Sequence, residues 1–173
     1  MFSFSKKSTL INANWFVQDG NNYIREEGGE KLLALYLNLQ RFIRHDQFNF
    51  ENDLYYFTSI KQIYKAMNEY GRVASNDDII QLLKKLEELS IVKVVSHPNF
   101  KDRFKSNLPN KELLIIQDLD YMRSRFYMHV PLDVIKYMLD NSLTYKHVAL
   151  LLLMNKWTNN NEEKCYVSVN KLA

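Results

Sequence analysis

The sequence predicts a mainly helical protein with small β-hairpins, and three observations carry that prediction. Glycine and proline are scarce, four and three in 173 residues, which disfavours glycine-cradled phosphate loops and a chain of tight hairpins. Leucine and isoleucine recur at helical spacing in several windows. Short aromatic or β-branched runs, each of strand length, stand between those windows. Apolar residues make up 46% and charged residues 25%, the balance of a globular chain rather than a disordered one. The longest apolar run, Val148 to Met154, falls far short of the roughly 20 residues of a membrane helix. No apolar stretch follows the charges of Met1 to Lys7, as a signal peptide would require. The lone Cys165 leaves no disulfide framework and no cysteine-based zinc cluster. The expectation is a cytoplasmic protein with no membrane, metal or cofactor.

The elements follow in order. Trp15-Phe16-Val17 reads as a short strand, with Tyr23-Ile24-Arg25 pairing back across the Asp19 to Asn22 turn. Gly28-Gly29 breaks the chain before a helix from Glu30 to His45, apolar on more than one face and therefore central. Leu54 to Phe57 is a strand. Thr58 or Ser59 caps a helix from Ile60 to Asn68, where Ile60, Ile63, Tyr64 and Met67 keep helical spacing. After a turn containing Gly71, Ser75 or Asn76 caps a third helix, and Asp77 and Asp78 suit its positive N-terminal end. Its inner face is Ile79, Leu82, Leu83, Leu86 and Leu89. Ile91 to Val95 and Leu113 to Ile116 are strands flanking a basic, aromatic stretch. Two helices joined by a turn and followed by such a hairpin make a winged helix-turn-helix.

Asp118 to Ser124 is polar and lies between apolar runs, so it divides the chain into residues 1–118 and 125–173. The second segment holds a strand at Phe126 to Val130, a helix opened by Pro131, a helix from Thr144 to Trp157, and a strand at Lys164 to Val167 followed by Ser168 as a cap. It echoes the first segment. Leu33-Ala34-Leu35-Tyr36-Leu37 matches Val148-Ala149-Leu150-Leu151-Leu152, and Tyr56-Phe57-Thr58 matches Tyr166-Val167-Ser168. The expected architecture is therefore a tandem winged helix whose second copy is truncated inside its helix-turn-helix, with the natural chain continuing past Ala173.

Net charge is only +3, but it is unevenly spread. Thr58 to Lys111 holds ten Lys/Arg against six Asp/Glu, and the remainder holds thirteen against fourteen. A local basic excess on a helix-turn-helix is the footprint of polyanion binding. The outward positions of the third helix supply Asn76 and Gln81 as base-reading candidates and Lys84 and Lys85 as phosphate contacts. Lys61, Lys65 and Arg72, on and after the second helix, are placed to grip the backbone. Lys101, Arg103 and Lys105 alternate along the wing, interleaved with Phe104 and preceded by His97 and Phe100. The bland reading of each is a solvated face, and Asp77-Asp78 at the groove-entering end favours it. Enzymatic readings are weak. His45, His97, His129 and His147 are scattered and form no metal motif, Cys165 sits in a strand as an inert thiol would, and no serine sits in a nucleophile elbow.

Two runs carry a resemblance: Tyr56-Phe57-Thr58-Ser59-Ile60-Lys61-Gln62-Ile63, and Ile79-Ile80-Gln81-Leu82-Leu83-Lys84-Lys85-Leu86-Glu87-Glu88-Leu89-Ser90-Ile91-Val92. Together they resemble winged-helix replication initiators and replisome-organiser proteins of bacterial plasmids and phages. Ser90 stands where winged-helix regulators usually carry Gly, and Asp77-Asp78 replaces a Ser/Arg/Lys-rich helix start. The resemblance implies a non-enzymatic double-stranded-DNA-binding protein that acts in replication initiation, commonly as a homodimer and together with other replication proteins. Lys outnumbers Arg 16 to 7 and Asn reaches 18, the bias of AT-rich coding DNA, which suits an AT-rich replicon. Two alternatives stand beside it: a transcription repressor or plasmid-maintenance regulator on the same fold, and a winged helix that binds protein and no DNA.

Overall fold

The computed structural model describes residues 8–12, 29–44, 53–96, 112–118 and 127–156. Among these the protein is mainly helical, with short antiparallel strands. Strand β1 is Ser8–Asn12, helix α1 Gly29–Leu39, and β2 Ile43–Arg44, reached through a 3₁₀ turn at Gln40–Phe42. Strand β3 (Asp53–Ser59) runs straight into α2 (Ile60–Met67), and α3 (Asn76–Glu88) follows a turn. Then come β4 (Lys93–Ser96), β5 (Glu112–Asp118), β6 (Tyr127–Pro131), α4 (Leu132–Asp140) and α5 (Tyr145–Lys156).

Helix α1 is the axis of the core: nine of its eleven residues are buried. It packs against α2 and α3 on one side and against α5 on another. It stops six residues before the predicted His45. At its end Gln40 donates from Nε2 to the Tyr36 carbonyl at 3.2 Å and to the Tyr56 hydroxyl at 3.0 Å. The amide thus adds a side-chain donor to a carbonyl of the last turn of α1. Ile43 and Arg44 then pair with Tyr56 and Tyr55 of β3, so tertiary pairing replaces the last predicted helical turn.

The caps fall where local chemistry places them. Ser59 caps α2, its Oγ accepting from the Gln62 N–H at 3.3 Å. Ser75 caps α3 in a reciprocal box: its Oγ accepts from the Asp78 N–H at 3.1 Å, and its own N–H donates to the Asp78 carboxylate at 2.8 Å. At the far end of α3, Ser90 adopts φ 57°, the Ser90 N–H reaches the Glu87 carbonyl, and the Ile91 N–H reaches that of Leu86. This is the Schellman closure that normally takes glycine. On α3 the buried residues are Ile79, Ile80, Leu83 and Leu86, while Leu82 and Leu89 of the predicted inner face are only half-buried.

The turn between α2 and α3 is organised by one side chain. Asn68 Oδ1 accepts from the N–H groups of Val73 (2.6 Å) and Ala74 (3.1 Å), and its Nδ2 donates to the carbonyls of Tyr64 and Ala74, both at 2.9 Å. Gly71 lies inside this turn at φ +123°, a conformation that costs any residue with a Cβ.

The sheet is larger than the predicted hairpin. Its order is β2-β3-β5-β4, antiparallel throughout. Tyr56, Ile115 and Val94 stand in one row across three strands, and all three are buried against the helices. Along the outer edge, the Val94 N–H donates to the Glu87 carboxylate at 2.8 Å, which fastens β4 to α3.

A second, two-stranded sheet pairs β1 with β6, Thr9 opposite Val130 and Ile11 opposite Met128. The predicted strands at Trp15 to Arg25 and at Lys164 to Val167 lie outside the described residues. The buried residues of both segments form one hydrophobic cluster that runs from Ile11 through α1, α2 and α3 to Leu153. Polar links cross between them as well. Asn38 Nδ2 donates to the Tyr145 hydroxyl at 2.6 Å, and the Tyr70 hydroxyl donates to the Asp140 carboxylate at 2.8 Å. Beside them Arg41, whose side chain is only 2% exposed, pairs with Glu69.

Candidate nucleic-acid interface

The residues singled out in the sequence fall into three groups. Lys61 and Lys65 are one helical turn apart on the exposed side of α2, because Ile60, Ile63, Ala66 and Met67 take the inner side. Between them Gln62 and Tyr64 are exposed too. Arg72 is exposed in the turn that leads to α3. On α3, Gln81 is exposed and Lys84 and Lys85 are half-exposed. The outer sides of the two consecutive helices thus carry four lysines, and on α3 Gln81 and the exposed carboxylates Asp77 and Glu88 stand beside them.

Asn76 is placed differently. It is the first residue of α3 and half-buried, and its Oδ1 is buried with no hydrogen-bond partner among the described residues. Its amide oxygen faces the protein, where a base edge cannot reach it. Lys101, Arg103 and Lys105, with His97, Phe100 and Phe104, lie outside the described residues.

The two aspartates that open α3 do not behave alike. Asp77 is exposed. Asp78 is engaged by the capping box and stands 3.8 Å from the Lys31 ammonium of α1. The Ser75 backbone N–H, with the Ser75 hydroxyl and the charges of Lys31 and Arg72, holds the Asp78 carboxyl below its ordinary value. Of the two carboxylates at the start of α3, Asp78 is thus tied into the helix cap and stands beside Lys31, and Asp77 is not.

The sequence reading leaves several residues aside. Lys93 is exposed at the start of β4, directly after α3. Asn68 shapes the turn that sets α3 against α2, and only its place at a helix end hinted at that. His147 is exposed, and its Nδ1 accepts from the Thr144 N–H at 3.1 Å, which makes it part of the α5 N-terminal cap. Among the described residues no group of three or more His, Cys, Asp and Glu is arranged to hold a metal ion, and no helix is long and apolar enough to cross a membrane.

Comparison with protein-family models, with curated proteins and with solved structures finds no match for this chain.

Proposed function

We propose that residues 1–118 form a winged helix-turn-helix that binds double-stranded DNA, and that the protein initiates replication of a plasmid or phage replicon. The observation that supports this most is the order and pairing of the elements. A capped helix pair, α2 and α3, is followed at once by β4, and β5 returns to lie between β4 and the strand β3 that feeds α2. That arrangement holds α3 on the surface with a hairpin beside it, the geometry of a helix offered to a major groove.

In this reading Gln81 is the base reader, because it is the exposed amide on α3. Lys84 and Lys85 meet phosphates, and Lys61, Lys65 and Arg72 grip the backbone on the approach side. Lys101, Arg103 and Lys105 extend the contact along the wing. Double-stranded DNA is then the partner, with a second copy of the chain and replication proteins as further partners.

Binding of the whole chain to a duplex from its own upstream region, followed by fluorescence anisotropy over a salt series, tests this. Each phosphate contact removed lowers the slope of log K against log salt by about 0.9. Lys84→Ala with Lys85→Ala is therefore expected to weaken binding to every sequence and flatten that slope by nearly two. The triple change of Lys101, Arg103 and Lys105 to Ala is expected to lower affinity and leave the unfolding transition in place. A chain that shows no salt-dependent binding to any duplex sinks the DNA reading and leaves the protein-interaction module standing.

A further inference from the structure

The N-terminal turn of α1, the α2–α3 turn and the α4–α5 turn converge on a cleft of about 460 Å³. It lies where the two segments of the chain meet. Of the proposed DNA contacts it shares only Arg72. We propose that this cleft is a binding site for a nucleoside monophosphate unit, separate from the duplex-binding face of α3.

Charge sets the polar half of the argument. Lys31, Arg72 and Lys146 line the cleft against a single carboxylate, Glu30. Lys31 is shared with Asp78 at 3.8 Å. Arg72 and Lys146 are exposed and form no ion pair among the described residues. Lys146 near the start of α5 and Arg72 in the α2–α3 turn, the latter also acting on the Asp78 carboxyl, match a phosphate monoester, which carries close to two negative charges at neutral pH. Arg72 adds the planar fork that binds phosphate oxygens in pairs.

The apolar half sets the body of the ligand. Val73, Leu139 and Leu143 line the cleft, together with the half-buried Tyr70 and the buried Tyr145. The cleft is within the roughly 300–1,000 Å³ of sites that enclose small organic ligands, and much too roomy for a bare ion. Aromatic rings are platforms on which bases stack. A phosphate head on the cations and a flat ring on the apolar lining use both halves together.

The same unit occurs free and at the 5′ end of a DNA strand, and titration of the whole chain by amide NMR separates the two. The probes are dAMP, deoxyadenosine, and a short single strand with and without a 5′-phosphate. The expected result is saturable shifts at Arg72, Val73, Thr144 and Lys146 with dAMP, and binding at least tenfold weaker with deoxyadenosine. A preference for the 5′-phosphorylated over the 5′-hydroxyl strand, tighter than dAMP, assigns the strand end; dAMP binding without that preference assigns the free nucleotide.

Lys146→Gln is expected to weaken dAMP at least tenfold while duplex affinity stays as in the wild type, because Lys146 is on α5 and not among the duplex contacts. Leu143→Trp, at an exposed position lining the cleft, is expected to block it. No saturable shift, equal binding of dAMP and deoxyadenosine, or dAMP binding indifferent to both substitutions overturns the proposal. None of these outcomes depends on whether α3 binds a duplex.

Discussion

Helices α1 and α5 repeat the same local pattern, Leu33-Ala34-Leu35-Tyr36-Leu37 in one and Val148-Ala149-Leu150-Leu151-Leu152 in the other, and they pack against each other. Their surroundings are not alike. Leu35 and Tyr36 are fully buried, whereas their counterparts Leu150 and Leu151 are 42% and 38% exposed. The outer positions of the repeat, Leu33, Leu37, Val148 and Leu152, are buried in both. The difference lies in the neighbours. Among the described residues α1 packs closely against α2 and α3 as well as α5, whereas the other helix packed most closely against α5 is α4. Apolar all-round composition marks a helix that can be enclosed; how far it is enclosed depends on what folds around it.

Paired substitutions turn this comparison into numbers. Leu35→Ala removes a fully buried side chain from a close-packed core and is expected to cost about 2–5 kcal/mol, whereas Leu150→Ala, already half in water, should stay within about 0.5–1 kcal/mol. Denaturant midpoints of the two variants measure this. Equal costs would mean that Leu150 is covered in solution.

The turns that follow α2 and α4 offer a second pair. Asn68 and Asn141 both donate to the carbonyl four residues back, at 2.9 and 2.8 Å. Asn68 alone also accepts two N–H groups of its turn. Asn68→Ala strands those donors and is expected to cost about 2–3 kcal/mol, against about 0.5 kcal/mol for Asn141→Ala. Because the turn orients α3, the first variant should also lose duplex affinity, and the second should not.

The C-terminal ends of α3 and α4 share one closure. Ser90 at φ 57° and Ser142 at φ 66° both take the left-handed place. In each the following residue, Ile91 or Leu143, bonds back to the helix. Replacing either serine by glycine removes the Cβ penalty, and each is expected to stabilise the fold by about 0.5–1 kcal/mol in thermal unfolding. A loss on Ser90→Gly would show that the serine side chain has a role of its own there.

The smallest effect is one of pH. The folded-state pKa of Asp78 is depressed, chiefly by the Ser75 backbone N–H, so the box stabilises the fold fully above the unfolded carboxyl value of about 3.9 and loses that stabilisation as pH falls through the lower folded value. The Asp78 side chain is 45% exposed, and solvent screening limits the contribution to less than about 1 kcal/mol. The acid limb of the stability profile should therefore flatten in Asp78→Asn, and an unchanged limb would remove the box from the pH dependence.

Much of the helical region could be read in advance, for a local reason. The bonds from Ser59 to Gln62 and from Ser75 to Asp78 span three residues, and the buried faces of α2 and α3 repeat every turn. The candidate contact residues Lys61, Lys65, Gln81, Lys84 and Lys85 are outward for the same reason: each occupies a position the apolar stripe leaves over. Arg72 is outward in the turn between them. Asn76 departs from that pattern: its Oδ1 is buried, although Asp77 next to it is exposed. Strands β1 and β2 carried no signal strong enough to stand out, since a strand of two to five residues is defined by its partner.

What the amino-acid order determined by itself is therefore everything carried by near neighbours: the helices α2 and α3, their serine caps, the outward lysines on both, and the capacity of α1 and α5 to be buried. Only the tertiary structure decided the rest. It set β1 against β6, drew Ile43 and Arg44 out of α1 into the sheet, enclosed Arg41 beside Glu69, left Leu150 and Leu151 half in water, and brought Lys31, Arg72 and Lys146 to one cleft. Each of these joins segments far apart in the chain, and their pairing rests on the burial gained across the whole core. That gain has no period and no spacing along the sequence by which it could be read beforehand.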